Sequence, residues 1–200
     1  MVEHAGYLPG FCATKKLYVA ENRNDLVKQF LNHPAKSEWL WVLDPDIVFE
    51  PDALAKLLAV AHPDKAQIVA GAYYLNSQEA EASITWHADT PDGLRLFRRP
   101  PNMPDRAIVL GSCGMGCTLI HRSVFEKLAE LHKDDPWTWF GHDLLDTREG
   151  VIRAGEDVTF CLRARAAGFT VVGHCGVVVE HLKTMRVPHG THGSAEGGDA

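Results

Sequence analysis

Long apolar runs without alternation mark the first half of the chain. Trp39–Leu43 and Gln67–Tyr74 are the two clearest, and such runs are expected of strands that are covered on both faces. Between them, Glu50-Pro51-Asp52 precedes leucines at helical spacing, which predicts a helix with proline in its first turn. The order strand, helix, strand is typical of an α/β domain.

The segment before these runs predicts a further strand and helix. Lys16–Ala20 has the character of a short strand, and Asn22 or Asn24 can cap the helix that follows it. His33-Pro34 ends that helix, because proline disfavours helical backbone at the residue before it.

The second half predicts shorter elements, namely an antiparallel hairpin, a helix with a serine cap, a loop, a helix closed by glycine, and two strands. In that order they lie at 83–86 with 94–97 inside the polar segment 76–106, Ser123–Leu131, 134–150, Gly155–Gly168, and 169–172 with 177–179. The whole pattern predicts an α/β fold in which helices flank a mostly parallel central sheet, with one small antiparallel hairpin.

Composition narrows the class of protein. Two hundred residues with 46% hydrophobic content fit one domain, and a net charge of −6 argues against a surface built to bind nucleic acid or anionic lipid. Five cysteines without a CxxC pair indicate buried thiols in a reducing compartment. No apolar run has the length of a membrane span, and no leader pattern is present, so we expect a cytoplasmic protein.

Asp44-Pro45-Asp46 is the first chemical signal, because it follows a strand that is buried on both faces. Carboxylates two residues apart on a turn can both face a divalent cation, which prefers oxygen ligands. His181, at the end of the last predicted strand, is a candidate third ligand. The alternatives are an ordinary turn for the aspartates and a hydrogen-bonded ring for the histidine.

Glu156 and Asp157 lie in the first turn of a predicted helix, where the helix dipole favours the ionised carboxylate. Either one could take a proton as a general base. The alternative is that the pair only caps the helix. We keep both interpretations at this point.

Three further features have two interpretations each. Trp137 and Trp139 can stack on a sugar or an acceptor, or cover the core. Lys183 can meet a diphosphate or belong to the solvated surface. The run Gly111–Gly116 lacks the spacing of known phosphate-binding loops, and close approach of its backbone to a bound sugar is the better interpretation.

The order of these motifs resembles the family 2 type of GT-A glycosyltransferases, especially short stand-alone members in bacteria and their phages. The resemblance covers roughly residues 18 to 185. The segments that carry it are Asn22-Arg23-Asn24, Trp39–Pro51, Ile68–Gly71, Gly114–Arg122, Gly155–Cys161 and His181.

The resemblance implies a GT-A fold and a role for each matched residue. Asp46 would bind Mn²⁺ or Mg²⁺, His181 would complete the metal site, and Asp44 would contact the donor ribose or the water shell of the metal. Asp157, or in second place Glu156, would be the base of an inverting displacement. The donor would also lie near Asn22, Arg23, Gly114 and Lys183.

The implied activity is transfer of a hexose or N-acetylhexosamine from a UDP- or GDP-sugar to the hydroxyl of a protein, glycan, lipid or modified nucleic acid. We expect one catalytic domain over residues 1–185, with its first nucleotide-binding strand abbreviated or missing, and a disordered tail over 186–200. The alternatives are a non-catalytic domain that binds glycan or protein, a sugar nucleotidyltransferase, and a zinc site that uses His189 and His192.

Overall fold

The computed structural model of the chain describes residues 18–73, 86–90, 93–97, 106–135, 138–147 and 150–182. Four helices and eleven strands lie within these ranges. The helices are α1 Val19–Asn32, α2 Ala53–Val60, α3 Arg122–Leu131 and α4 Glu156–Ala166. The strands are β1 Trp39–Leu43, β2 Ile47–Val48, β3 Ile68–Tyr73, β4 Trp86–Thr90, β5 Gly93–Phe97, β6 Ala107–Leu110, β7 Ser112–Cys113, β8 Cys117–His121, β9 Leu144–Thr147, β10 Gly150–Arg153 and β11 Val171–His181.

The central sheet has the strand order β1-β8-β3-β11-β2, and β6 also pairs with β11. The predicted α/β fold is confirmed, and so is the small hairpin, which is formed by β4 and β5. The prediction of a mostly parallel sheet is wrong, because β3 and β11 are the only pair of described strands in the central sheet that run parallel. Apolar runs report that both faces of a strand are covered, and they carry no information about its direction.

Three strands of this sheet nevertheless point the same way. β1 and β3 are both antiparallel to β8, which lies between them, and β11 is parallel to β3. The carboxyl ends of β1, β3 and β11 therefore meet at one edge of the sheet. Asp44 follows β1 directly, Tyr73 ends β3 and His181 ends β11, so the topology gathers these three residues at that edge.

Several predicted elements need correction. The chain is already helical at Val19, so the part of the predicted strand Lys16–Ala20 that the structure describes is wrong, and Asn24 lies inside α1 without capping it. The predicted loop 134–150 contains β9, which pairs with β10 as an exposed hairpin. The runs 171–172 and 177–179 belong to one strand with an irregularity in its register.

The helix after β8 starts with a different cap from the predicted one. His121, rather than Ser123, precedes α3, and its ring nitrogen accepts a hydrogen bond from the amide of Ser123. The predicted start and end of α4 hold, whereas α2 begins at Ala53, so Pro51 lies before the helix and not in its first turn as predicted. Gly168 closes α4 with φ of 93°, a left-handed conformation that glycine adopts without strain.

The core covers both faces of the central sheet. On one face, α1, α3 and α4 pack around phenylalanines, of which Phe140 stacks on Phe160 at 4.5 Å between ring centroids. On the other face, α2 contributes Leu57 against β3 and β11. The four described cysteines are buried free thiols, as predicted, and Cys12 lies outside the described residues. None of the described helices has the length and apolarity that crossing a membrane requires.

Candidate active site

Asp46 and His181 form a close pair at the shared edge of the sheet. Asp46 Oδ2 lies 2.7 Å from His181 Nε2, and the backbone oxygen of Asp46 accepts a hydrogen bond from the amide of Leu182 at 2.7 Å. The short strand β2 pairs with the last residues of β11, with Ile47 opposite His181. The turn after β1 is thus fastened to the end of β11, which explains why residues 135 positions apart in sequence meet.

The pair suits a divalent cation that has other ligands besides protein. Two ligands at right angles, each about 2.1 Å from an ion, lie about 3 Å from each other, which is close to the separation of these two atoms. Among the described residues, no three His, Cys, Asp or Glu side chains are grouped closely enough to hold a metal by themselves. A cation here would need oxygens from a ligand such as a diphosphate.

Asp44, at the start of the same turn, contacts Arg23 on α1. The guanidinium of Arg23 lies 3.3 Å from Asp44 Oδ2 by one nitrogen and 2.5 Å from Glu156 Oε1 by the other. Arg23 is buried, and its charged group also lies 5.9 Å from the centre of the Phe140 ring. One buried cation therefore joins the turn after β1 to the first residue of α4.

Asp157 occupies the next position of α4. Its Oδ1 accepts a hydrogen bond from the amide of Val158 at 2.8 Å, and a β-carbon on Gly155 would lie 3.0 Å from the same oxygen. A side chain before the helix would therefore crowd this carboxylate. The charge of Asp157 contributes to raising the pKa of Cys113, after the larger effects of Cys161 and of the burial of the thiol.

Tyr73 and Gly116 form a chain of contacts between Asp44 and His181. The sequence analysis gave Gly116 only as part of a glycine-rich run and did not name Tyr73 as a site residue. The Gly116 amide donates to Tyr73 Oη at 3.3 Å, and its carbonyl accepts from the Asp44 amide at 3.0 Å. A β-carbon on Gly116 would lie 3.1 Å from the Tyr73 ring and 3.3 Å from Asp44 Oδ2. The Tyr73 ring also packs edge-on against the His181 ring, at 5.9 Å between centroids.

Asn24, which the sequence analysis gave only as a possible helix cap, holds the loop before β9. Its side-chain amide donates to the carbonyls of Ala20 and Phe140, and its oxygen accepts from the amides of Trp139 and Phe140. Trp139 is buried, and its ring nitrogen donates to the Phe125 carbonyl at 2.8 Å. This position supports the interpretation of Trp139 as core cover, and it provides no exposed ring for an acceptor.

Arg163 fastens the same loop to α4 from the other side. Its guanidinium makes two hydrogen bonds to the Asp143 carboxylate, at 3.0 Å and 2.7 Å, and contacts Asp135 at 2.8 Å. Burial by itself would lower the pKa of Arg163, and the bonds and charges of the two aspartates outweigh this and raise it. The sequence offered no signal for this contact beyond a basic residue in the last turns of a helix.

The remaining predicted donor residues lie at the margin of this group or outside the described residues. Asn22 is half-buried on α1, where its amide donates to the Tyr18 carbonyl at 3.0 Å. Gly114 is buried, and its carbonyl accepts from the Thr118 hydroxyl at 2.8 Å. Trp137, Lys183, His189 and His192 fall outside the described residues.

Comparisons with known proteins identify the family to which the chain belongs. Residues 15–191 match the family described as "Glycosyltransferase like family 2". Among solved structures, the chain is similar to the one titled "Crystal Structure of A197 from STIV", at 21% identity and a TM-score of 0.50, over 85% of this chain and 70% of that one. A comparison with curated proteins gives no significant match. The match over most of the sequence shows that this chain belongs to the glycosyltransferase like family 2.

Proposed function

We propose that the chain is a metal-dependent glycosyltransferase that moves a sugar from a UDP- or GDP-sugar to an acceptor hydroxyl, with inversion at the anomeric carbon. One observation carries the proposal. The buried guanidinium of Arg23 joins Asp44, in the turn that also carries Asp46, to Glu156, which is adjacent to Asp157. A metal-binding pair and a candidate base are thereby held at one edge of the sheet.

Asp46 and His181 are the residues that would hold Mn²⁺ or Mg²⁺. The carboxylate and the imidazole now share a hydrogen bond between Asp46 Oδ2 and His181 Nε2. The same two atoms would bind the cation, with the ring proton of the neutral imidazole on Nδ1. When bound, the cation neutralises the charge that builds up on the departing diphosphate. Asp44, held by Arg23, remains available to the donor through its exposed side.

Asp157 is the better candidate for the base. Glu156 already accepts a bond from a buried guanidinium, which occupies one of its oxygens. Asp157 Oδ1 accepts a hydrogen bond from the Val158 amide, and Asp157 is the residue to which the family resemblance gives this role. In the proposed step, the acceptor oxygen attacks the anomeric carbon, the bond from that carbon to the diphosphate breaks, and the hydroxyl proton passes to the Asp157 carboxylate.

Arg23 takes a role different from the predicted one. The resemblance implied a residue near the nucleotide, whereas the described contacts of its guanidinium are with two carboxylates and a phenylalanine ring. We therefore propose that Arg23 is a positioning residue. It would keep Asp44 and Glu156 at a fixed separation while the metal and donor are absent.

The test is metal-dependent donor binding, measured by calorimetry with Mn²⁺ and a panel of UDP- and GDP-sugars. Asp46→Asn should abolish the part of the binding that EDTA removes, since it deletes one ligand charge. Asp52→Asn is the matched control, because Asp52 is an exposed carboxylate at the start of α2 that pairs with Lys56. Equal binding by wild type and Asp46→Asn, or no binding to any donor, would refute the proposal.

Turnover separates the remaining possibilities. Proton NMR of the first product formed from an α-linked donor should show the β-anomer if the displacement inverts. Glycan binding that is indifferent to EDTA, without donor hydrolysis, would indicate a non-catalytic domain. Release of pyrophosphate from a sugar phosphate and a nucleoside triphosphate would indicate nucleotidyltransfer instead.

A further inference from the structure

Cys113 and Cys161 form a pair of free thiols whose sulfur atoms are 3.8 Å apart. Cys113 belongs to β7 and Cys161 to α4, and both residues are buried. The amide of Cys113 donates to the Cys161 sulfur at 3.4 Å, and the Cys161 thiol donates to the Cys113 carbonyl at 3.7 Å. We infer that oxidation joins the two residues in a disulfide, which moves the start of α4 and thereby lowers activity; the part on activity rests on the proposed function.

The two cysteines lie on the segments that carry the two halves of the candidate active site. Cys161 follows Asp157 by one helical turn, so their side chains share one face of α4. Cys113 precedes Gly116 by three residues, and the Gly116 carbonyl accepts from the amide of Asp44. A covalent bond between the cysteines would therefore couple the candidate base to the turn after β1.

Forming the bond requires the two elements to approach each other. A disulfide holds its sulfur atoms about 2 Å apart, which is about half of the present 3.8 Å. Further along α4, the Arg165 guanidinium donates to the Gly111 carbonyl at 3.4 Å, and this contact restrains the second half of the helix. The movement therefore falls mainly on the first turn, which carries Glu156 and Asp157.

The pair persists as thiols until an oxidant reaches it. The hydrogen bond with Cys161 and burial raise the pKa of Cys113, so little of this thiol is ionised at neutral pH. With hydrogen peroxide as the oxidant, one thiol becomes a sulfenic acid and one water is released. The sulfur of the other cysteine then displaces the hydroxyl group, which forms the S–S bond and releases a second water. Two electrons and two hydrogen atoms thus pass from the thiols to the peroxide.

The first test maps the linkage. The reduced intact chain is treated with hydrogen peroxide and unfolded, its remaining thiols are blocked with iodoacetamide, and disulfide-linked peptides are identified by mass spectrometry. We expect a linkage between Cys113 and Cys161 that dithiothreitol removes. Cys161→Ala should abolish it, and Cys113→Ala makes the same test if that variant does not fold.

Cys117→Ala is the matched control, because Cys117 is an equally buried free thiol on β8. It should keep the linkage between Cys113 and Cys161. No linkage in the wild type, or a linkage that involves another cysteine in place of this pair, overturns the inference.

The second test compares metal-dependent hydrolysis of the donor before and after oxidation. The oxidised wild type should be about tenfold slower or more and should recover in dithiothreitol, since a shift of about 1 Å at a reacting group costs up to about a hundredfold. In Cys161→Ala the rates before and after peroxide should be equal. Equal rates in the wild type, with the linkage formed, would overturn the effect on activity.

A structural measurement separates this inference from the proposed function. The amide of Val158 donates to Asp157 Oδ1 at 2.8 Å in the first turn of α4, so its NMR chemical shift should change on oxidation of the wild type and stay constant in Cys161→Ala. If the chain hydrolyses no donor in either state, the proposed function is refuted, and the linkage with the Val158 shift still supports the disulfide and the movement. An unchanged Val158 signal in the linked protein overturns the movement, whatever the activity.

Discussion

Replacing Arg23 by methionine removes the cation at the centre of the site while keeping an unbranched side chain against Phe140. The guanidinium is 7% exposed, whereas its partners Asp44 and Glu156 are 37% and 19% exposed. Removing one member of a fully buried pair costs about 3 to 5 kcal/mol. Since water reaches both carboxylates here, we expect a smaller loss, about 2 to 3 kcal/mol.

Urea unfolding measures this loss, and a double-mutant cycle assigns it. Glu156→Gln alone removes one charge that Arg23 compensates. If the contact at 2.5 Å is formed in solution, the double variant should be more stable than the sum of the two single changes predicts, by about 1 kcal/mol or more. The same variants should be assayed for transfer at a temperature where each is folded.

Arg122 is the matched control, because it is also a largely buried arginine above a phenylalanine ring. It lies 4.5 Å from the centre of Phe30 and donates to the carbonyls of Ser37 and Phe30, far from the candidate active site. Arg122→Met should lower stability by about 1 to 3 kcal/mol, since it leaves carbonyls without their donor, and should preserve kcat/KM of the folded fraction.

Arg23→Met should instead reduce kcat/KM on the order of a hundredfold, as expected if Asp44 and the residues beside Glu156 take part in the reaction as proposed and shift by about 1 Å. Equal activity per folded molecule in the two arginine variants would refute the positioning role of Arg23. A coupling energy between Arg23 and Glu156 below about 0.5 kcal/mol would also refute it, because that is the scatter between independent sites.

Three further changes test the structure around the site. Gly116→Ala should abolish metal-dependent donor binding, because the added carbon would displace the Tyr73 ring or the Asp44 carboxylate. Gly168→Ala is the control, since a β-carbon there would meet nothing within 4 Å. It should lower stability by about 1 kcal/mol and leave donor binding unchanged in the same calorimetric assay. Asn24→Ala should cost about 2 to 5 kcal/mol in urea unfolding and speed hydrogen exchange at the amide of Phe140, since a buried amide group loses its partners. Burial raises the pKa of the Cys117 thiol to about 11. The resulting stabilisation is complete below the pKa of the unfolded thiol and is lost as the pH rises towards 11. The free energy of unfolding should therefore fall by about 2 to 3 kcal/mol between pH 8 and pH 11, and by less in Cys117→Ala.

Much of the fold followed from burial patterns, and strand direction did not. The runs at Trp39–Leu43 and Gln67–Tyr74 were predicted as strands, and the structure has β1 and β3 there. Their direction depends on β8, which inserts between them from a position about fifty residues later in the chain. Nothing local to either run records that insertion, because the pairing partner is chosen by the fold as a whole.

The candidate site divides in the same way. The sequence interpretation grouped Asp44 with Asp46 and His181 because a turn can present both aspartates to one ion. The structure brings Asp46 to His181 and turns Asp44 towards Arg23 instead. The side chains of two residues on a turn can point in different directions. Here Arg23 on α1, which precedes the turn in the sequence, determines the direction of the Asp44 side chain.

The role of α1 can be read from the helical spacing of its residues, if polar residues are included together with apolar ones. The buried positions of this helix are Ala20, Arg23, Asn24, Val27 and Phe30, which follow the spacing of three and four that defines a single helix face. An arginine and an asparagine on that face are costly unless the fold supplies partners for them. Polar residues at core positions therefore indicate that a helix binds other parts of the fold through them. Here Arg23 binds Asp44 and Glu156, and Asn24 binds the loop before β9. Asparagine is more often a helix cap, and arginine is more often a surface residue that binds a ligand. In α1, the position of Arg23 and Asn24 on the same helix face as Val27 and Phe30 is the sequence feature that argues against these two interpretations.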